Sequence, residues 1–406
     1  MKKKVFIVAL VVIALLGAMW WIFSGTPQGG TAEEGGGIRR FNPFGIFGDG
    51  GDVGPAPATT TPGISTSEFI PRFRQITAGP VAGAGFAYGT TSDVFIRFIE
   101  RETGHVFETS TSTTVLRRIT NTTIPRVAEA LWNPQGSIVA VRYLRSDGET
   151  IETFIASVPE QKNDGDVVGE HPLSGSITAP NILSLAWAPD GTEFFAVTPA
   201  EDGSFGTIFD TSGAIKRRVF TSPLREWLAA WPTRNAITLT AKPSAGVRGF
   251  TYSISRTGGE FSKIIDGFFG LSALPNTGLT KMAYAHISGG RLTLKMIDVK
   301  SGETQTLPLA TLAEKCAWGS GDMLFCAVPT VRLTGLPDTW YQGVVATRDA
   351  LWQIDTKTGT ADVLTDTAAY AEGGIDVASL SVDLGSTHLL LTDKTRGSLW
   401  ILRITP

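Results

Sequence analysis

One hairpin is written into this chain several times over, and that repetition limits the folds open to it more than any other feature. Residues 185–191 read Leu-Ala-Trp-Ala-Pro-Asp-Gly, an apolar strand running into a tight turn, and a second apolar strand follows at 194–197. The pattern recurs at 131–136 before 138–141, at 230–235 before 237–240, and at 317–322 before 323–328, with a weaker copy at 273–278 before 281–285. Its anchors are Trp132, Trp187, Trp231, Leu274 and Trp318, spaced 55, 44, 43 and 44 residues apart. Self-similarity at a period of about 40–45 residues, with four short strands per unit, is the signature of a propeller blade.

A second landmark fills out the unit. Hairpins with a glycine turn end at Gly213, Gly259, Gly302 and Gly359, where glycine supplies the positive φ of the turn. Calling the four strands of a unit a to d, the Trp hairpin joins a to b and the glycine hairpin joins c to d. Seven units are read, centred on strands a near Phe86, Trp132, Trp187, Trp231, Leu274, Trp318 and Val382. The last unit runs out after three strands. The missing fourth stands at the other end, where Phe-Arg-Gln-Ile-Thr at 73–77 matches Leu-Arg-Arg-Ile-Thr at 116–120. The expected fold is therefore all-β: a seven-bladed β-propeller of four-stranded blades, closed by an N-terminal strand. Six- and eight-bladed rings and a pair of β-sandwiches are the alternatives. Closure matters because an open ring would leave two unpaired sheet edges.

Ahead of the propeller (69–406) the chain reads as two other segments. Lys2, Lys3 and Lys4 precede residues 5–23, a run of 19 without a charge. As a helix that run spans about 29 Å, close to the thickness of a hydrocarbon core. Trp20 and Trp21 stand at its far end, and no Lys or Arg follows until Arg39. Residues 1–24 are thus expected to be a signal-anchor helix with the N-terminus in the cytoplasm and the body outside, in the periplasm or extracellular space. A cleaved signal peptide is the alternative, and the run is longer than the usual apolar core of one. Residues 25–68 are rich in Gly, Pro and Thr and read as a flexible tether with a reach of roughly 35–40 Å. Within it, Phe41, Phe44 and Phe47 beside Arg39 and Arg40 form either a docking motif or an idle apolar segment.

Net charge is −3, and about −6 without the three N-terminal lysines, which argues against a nucleic-acid partner. No nucleophile elbow, zincin helix or phosphate-binding Gly-Lys loop is present. His105, His171, His286 and His388 fall at unrelated positions of the repeat, and no cofactor or metal is implied. Cys316 and Cys326 flank the a–b turn of the sixth unit, so antiparallel pairing can bring them opposite one another; a disulfide is the expectation and two buried free thiols the alternative. The repeated tryptophans read as packing between units.

The sixth unit carries the largest insertion, at 329–343 between strands b and c. Such loops share a face with the d–a connections. Asp338, Trp340 and Tyr341 are its candidate partner-binding residues, with Phe41, Phe44 and Phe47 in the tether, aromatics being the residue type that dominates interfaces. The alternative is that this loop folds back over the ring. The second unit's insertion, around residues 161–171, lies between c and d and reads as a spacer.

The chain resembles WD-repeat-like and TolB-like β-propellers through Trp-x-Pro-Asp-Gly at 187–191 and its copies, without the Gly-His and Trp-Asp pairs of true WD repeats. It looks most like uncharacterised membrane-anchored propeller proteins of ultra-small bacteria. Pro80-Val-Ala-Gly-Ala84, residues 121–126 with 129–132, Lys315-Cys-Ala-Trp318 with 326–329, and residues 338–343 carry that likeness. The resemblance implies a fold and a location. The expected function is a non-catalytic binding scaffold outside the cytoplasmic membrane, for a protein or cell-envelope partner. A propeller hydrolase or lactonase with a channel-bound metal, and a glycan or peptidoglycan reader, are the alternatives.

Overall fold

The structure, a computed structural model, describes residues 69–89, 93–159 and 171–405. The expected anchor at 5–23, the tether, its Phe41, Phe44 and Phe47, and most of the second unit's insertion lie outside the described residues. Among the described residues no helix is long and apolar enough to cross a membrane.

Seven antiparallel sheets of four strands make up the body. Six take their strands in simple chain order. Their a strands are Val81–Tyr88, Val127–Trp132, Ser184–Trp187, Trp227–Ala230, Ser272–Pro275 and Cys316–Trp318. The seventh sheet is ordered Phe73–Thr77, Leu399–Arg403, His388–Asp393, Val377–Val382, so the first strand of the body completes the last blade. The register pairs Phe73 with Leu402, Arg74 with Ile401 and Gln75 with Trp400. Arg72 reinforces the seam: its carbonyl accepts from the Arg403 amide at 2.8 Å, and its guanidinium donates to the carbonyls of Arg403 and Ile404 at 3.1 and 3.0 Å.

The core is distributed rather than central. Among the described residues, seven apolar clusters each join two adjacent sheets. The one that closes the circle sets Val81, Phe86, Ile96 and Phe98 of blade 1 against Leu390, Leu399 and Ile401 of blade 7. The strands that supply these clusters are buried on both faces, which is why their b strands read as continuous apolar runs such as Phe194–Val197.

Three of the four repeated tryptophans are pegged to the neighbouring blade by an indole bond. The indole N–H of Trp187 donates to the Leu131 carbonyl at 3.0 Å, that of Trp318 to Leu274 at 3.0 Å, and that of Trp132 to Gly83 at 3.3 Å. Each acceptor lies on the a strand of the preceding blade. Gly83 is required by this approach, since a Cβ there would stand 1.9 Å from the Ala130 carbonyl oxygen. The a–b turns are tied by the residue after strand a. Asn133 accepts the amides of Ser137 and Ile138, Asn276 those of Thr280 and Lys281, and Asp383 those of Thr387 and His388. This is the short polar side chain competing for local backbone donors, the reason Asn and Asp favour turns.

Cys316 and Cys326 are direct cross-strand partners, with Cα atoms 4.0 Å apart, and are joined by a disulfide within the cluster between blades 5 and 6. The loop it closes is short, with a sequence separation of 10. Reduction, or replacement of both cysteines by serine, is expected to lower unfolding stability by about 2–3 kcal/mol in the chain-entropy account. Urea unfolding with and without dithiothreitol measures it, and identical midpoints would show that the bond adds nothing.

Candidate functional site

The b–c insertion of blade 6 does not stand away from the body. After strand Met323–Pro329 the chain crosses towards blade 4, turns through the one-turn helix α1 (Asp338–Tyr341) and returns to strand Asp349–Asp355. Each of the three residues singled out in this loop makes an intramolecular contact. Asp338 accepts the backbone N–H of Ala245, in the b–c loop of blade 4, at 2.7 Å. Burial pushes its carboxyl up, but the donors of Ala245 and Ser244 outweigh it and hold the group below its usual value. Tyr341 donates its hydroxyl to Glu314, in the d–a connection ahead of blade 6. Trp340 is 5 % exposed and donates its indole N–H to both oxygens of Asp376, at 2.9 and 3.1 Å. The expectation that Trp340 and Tyr341 are exposed contact residues is therefore corrected. The loop folds back over the ring because buried hydrogen-bond acceptors await it there.

Those acceptors belong to a buried polar knot between blades 6 and 7. Lys315, 1 % exposed, precedes the a strand of blade 6; Asp376 precedes that of blade 7; Asp349 opens strand c of blade 6. The Lys315 ammonium donates to Asp349 at 2.7 Å, to Asp376 at 2.8 Å and to the Thr347 hydroxyl at 2.5 Å. Burial works against ionisation of both carboxyls. At Asp376 the Lys315 charge and the donors of Lys315, Thr347 and Trp340 outweigh burial and leave it below the usual carboxylate range. At Asp349 burial wins and the carboxyl is pushed up. Lys394 lies 4.0 Å from the centre of the Trp340 ring and donates to the Trp340 carbonyl. The sequence signal for this knot was a lysine and an aspartate each placed one residue before an a strand.

Held in this way, the insertion walls a cleft of about 490 Å³ on the b–c/d–a face. The opposite wall is the b–c hairpin of blade 5, with Ile287, Arg291 and Leu292, and Ala245 and Ala310 close the ends. The insertion contributes Val331, Arg332, Leu333 and Leu336, and Val331 is 54 % exposed. An apolar trough of this size with two arginines at its edge suits a small ligand or one or two side chains of a larger one.

His286 sits beneath Ile287, buried, with the Phe268 ring centre 4.5 Å away. Burial pushes its imidazole down, the Ile287 backbone opposes this and Lys295 adds to it. A histidine depressed in the folded state binds its proton more readily when unfolded. Its neutral form thus favours the fold above pH about 6.5, and that contribution is lost as pH falls below it. His286→Phe is expected to flatten the loss of thermal stability between neutral and mildly acid pH; parallel profiles for the two proteins would remove His286 from the account.

Among the described residues no group of three or more His, Cys, Asp or Glu side chains stands together as a metal ligand set.

No family model matches the sequence, and no curated protein matches it. Solved structures do match. An oligogalacturonate lyase in complex with manganese is 11 % identical, with 82 % of this chain and 93 % of that one covered at a TM-score of 0.52. The β-propeller domain of the Trilobed protease from Pyrococcus furiosus is 15 % identical, with 80 % and 97 % covered at 0.50. TolB from Acinetobacter baumannii is 13 % identical at 0.44, with 68 % of this chain and 64 % of TolB covered, so the match spans less than two thirds of TolB. The β-propeller expected from the repeats at 187–191 and elsewhere is met as a likeness of fold to the lyase and to the Trilobed protease domain. One expectation falls here. A non-catalytic role was anticipated, but the same fold is that of a lyase, and the propeller is compatible with an enzyme.

Proposed function

We propose that this chain is a membrane-tethered β-propeller, held outside the cytoplasm, that binds a protein or cell-envelope ligand on its b–c/d–a face. The observation that carries the reading is the cleft behind the blade 6 insertion. Its wall is fixed by Trp340, Tyr341 and Asp338, so the trough is preformed rather than assembled by the ligand, which lowers the entropic cost of binding. The extracytoplasmic placement is supported by the sequence of residues 1–24 and by a disulfide of the kind that persists outside the cytoplasm.

Two experiments test it. In the first, a photo-crosslinker placed at Val331 in the full chain is expected to capture a defined species in the native host that one at Ser301, on the opposite face, does not. Leu333→Asp in the trough is expected to reduce that capture about tenfold or more, since a buried carboxylate opposes apolar contact. Equal capture from both faces, or capture indifferent to Leu333→Asp, would remove the cleft from the account. In the second, Ser301→Cys is labelled with a membrane-impermeant maleimide in intact cells. Labelling only after lysis would sink the extracytoplasmic placement.

A further inference from the structure

The cleft behind the blade 6 insertion carries two cations without a counter-charge. Arg291, which opens strand c of blade 5, stands on one wall, and Arg332, in the insertion, on the other. Both are exposed, and among the described residues neither side chain makes a hydrogen bond or an ion pair. Among the described residues no carboxylate lines the cleft. The rest of the lining is largely apolar, with Ile287, Leu292, Leu333 and Leu336. Free guanidiniums beside apolar surface match a ligand that joins an anion to an apolar body.

The insertion also offers backbone. Its stretch 331–336 is neither helix nor strand, and among the described residues none of its amides donates a hydrogen bond within the chain. The stretch is nevertheless held at both ends. Thr330 donates its amide and its hydroxyl to the Arg348 carbonyl at 2.7 and 3.0 Å, and Asp338 accepts the Ala245 amide at 2.7 Å. A fixed edge of unpaired amides is what an extended peptide uses when it binds through its main chain. An acyl chain has no groups to meet it. The cleft is also short: about 490 Å³ holds one or two side chains, and Ala245 and Ala310 close its ends. A chain terminus fits such a space, and a segment running through does not.

We propose that the cleft takes the C-terminus of a partner polypeptide, with its terminal carboxylate between Arg291 and Arg332 and its last apolar side chain in the trough. The proposal rests on the reading of this cleft as the ligand site. A terminal carboxylate is fully ionised at neutral pH, and a guanidinium fork can hold both of its oxygens.

The test presents the full chain, in phosphatidylcholine nanodiscs, with a library of short peptides randomised at their last residues, each with a free carboxylate. Selection is expected to enrich apolar last residues. Fluorescence anisotropy then compares a selected peptide with its C-terminal amide, which is expected to bind about tenfold or more weakly. Arg291→Gln and Arg332→Gln, changes at exposed side chains, are each expected to weaken the free acid by a similar factor and to affect the amide far less. Lys300→Gln, on the opposite face, is expected to change neither. Acid and amide bound equally, with both lost in Leu333→Asp, would overturn the carboxylate assignment while the cleft stands as the ligand site. No peptide enriched over the Leu333→Asp chain, or laurate bound there in place of any peptide, overturns the proposal as a whole; capture at Val331 then decides separately whether the cleft is a ligand site.

Discussion

A full-length chain carrying Phe73→Ala is expected to lose about 3–5 kcal/mol of unfolding stability, the usual cost of emptying a buried phenylalanine site. Phe73 is only 3 % exposed and stacks edge-on to Tyr370 at 4.9 Å and beside Trp400 at 5.3 Å. It is the one side chain of the closing strand buried below a tenth, and it joins Leu402, Leu389 and Leu391 in the cluster between blades 6 and 7. Two neighbours on the same strand calibrate the effect. Gln75→Ala, at an exposed position, is expected to stay within about 0.5 kcal/mol of the parent. Arg74→Pro removes the ladder donor opposite Ile401 and is expected to open the seam. An opened seam leaves Leu399–Arg403 as an unpaired edge, so concentration-dependent association should accompany the loss of stability. Urea unfolding and size-exclusion chromatography at two concentrations measure both. A Phe73→Ala midpoint equal to that of Gln75→Ala would mean that the propeller does not depend on its closing strand.

That strand was legible in the sequence because closure is a matter of counting. Three strands at the end and one spare at the beginning leave a single economical pairing. The anchors Trp132, Trp187 and Trp318 were legible too, since the same residue at one position of the unit makes the same bond to the preceding blade in all three, whereas the buried indole N–H of Trp231 makes none. The insertion was not. Its length and its b–c position could be read, but Trp340 meets Asp376 and Asp338 meets Ala245, contacts across 36 and 93 residues that no local pattern announces. An aromatic in a polar loop looks exposed until its acceptor is located, and that acceptor belongs to another blade. The bonds of Arg72 at the seam were hidden for the same reason: Arg72 and Arg403 meet only because the ring closes. What the sequence conveys well is what repeats; what it conceals lies where one blade departs from the others.

Lys315→Met is the second large effect expected, and it tests the knot that holds the insertion down. The wild-type ammonium pairs with Asp349 and Asp376 at 2.7 and 2.8 Å, with all three side chains no more than 1 % exposed. Burying the three groups together brings little net stability, because desolvation offsets most of the attraction. Removing the cation alone is different. Two carboxylates then face each other with no counter-charge, and breaking a buried pair in this way costs about 3–5 kcal/mol. The acid-side behaviour gives a signature that a simple packing defect lacks. Without Lys315 the two carboxyls cannot both ionise cheaply, so one takes up a proton in the folded state more readily than in the unfolded chain. A carboxyl raised on folding loses stability as pH rises through its folded value and regains it as pH falls. The deficit of Lys315→Met is therefore expected to shrink on acidification, and adding Asp349→Asn and Asp376→Asn should recover part of it at neutral pH. The insertion reports the same event locally: with Trp340 loosened, trypsin should cut faster after Arg332 and Arg348. A deficit below about 1 kcal/mol, or one that does not vary with pH and is not relieved by the paired asparagines, would show that Lys315 is packed in the knot without neutralising it.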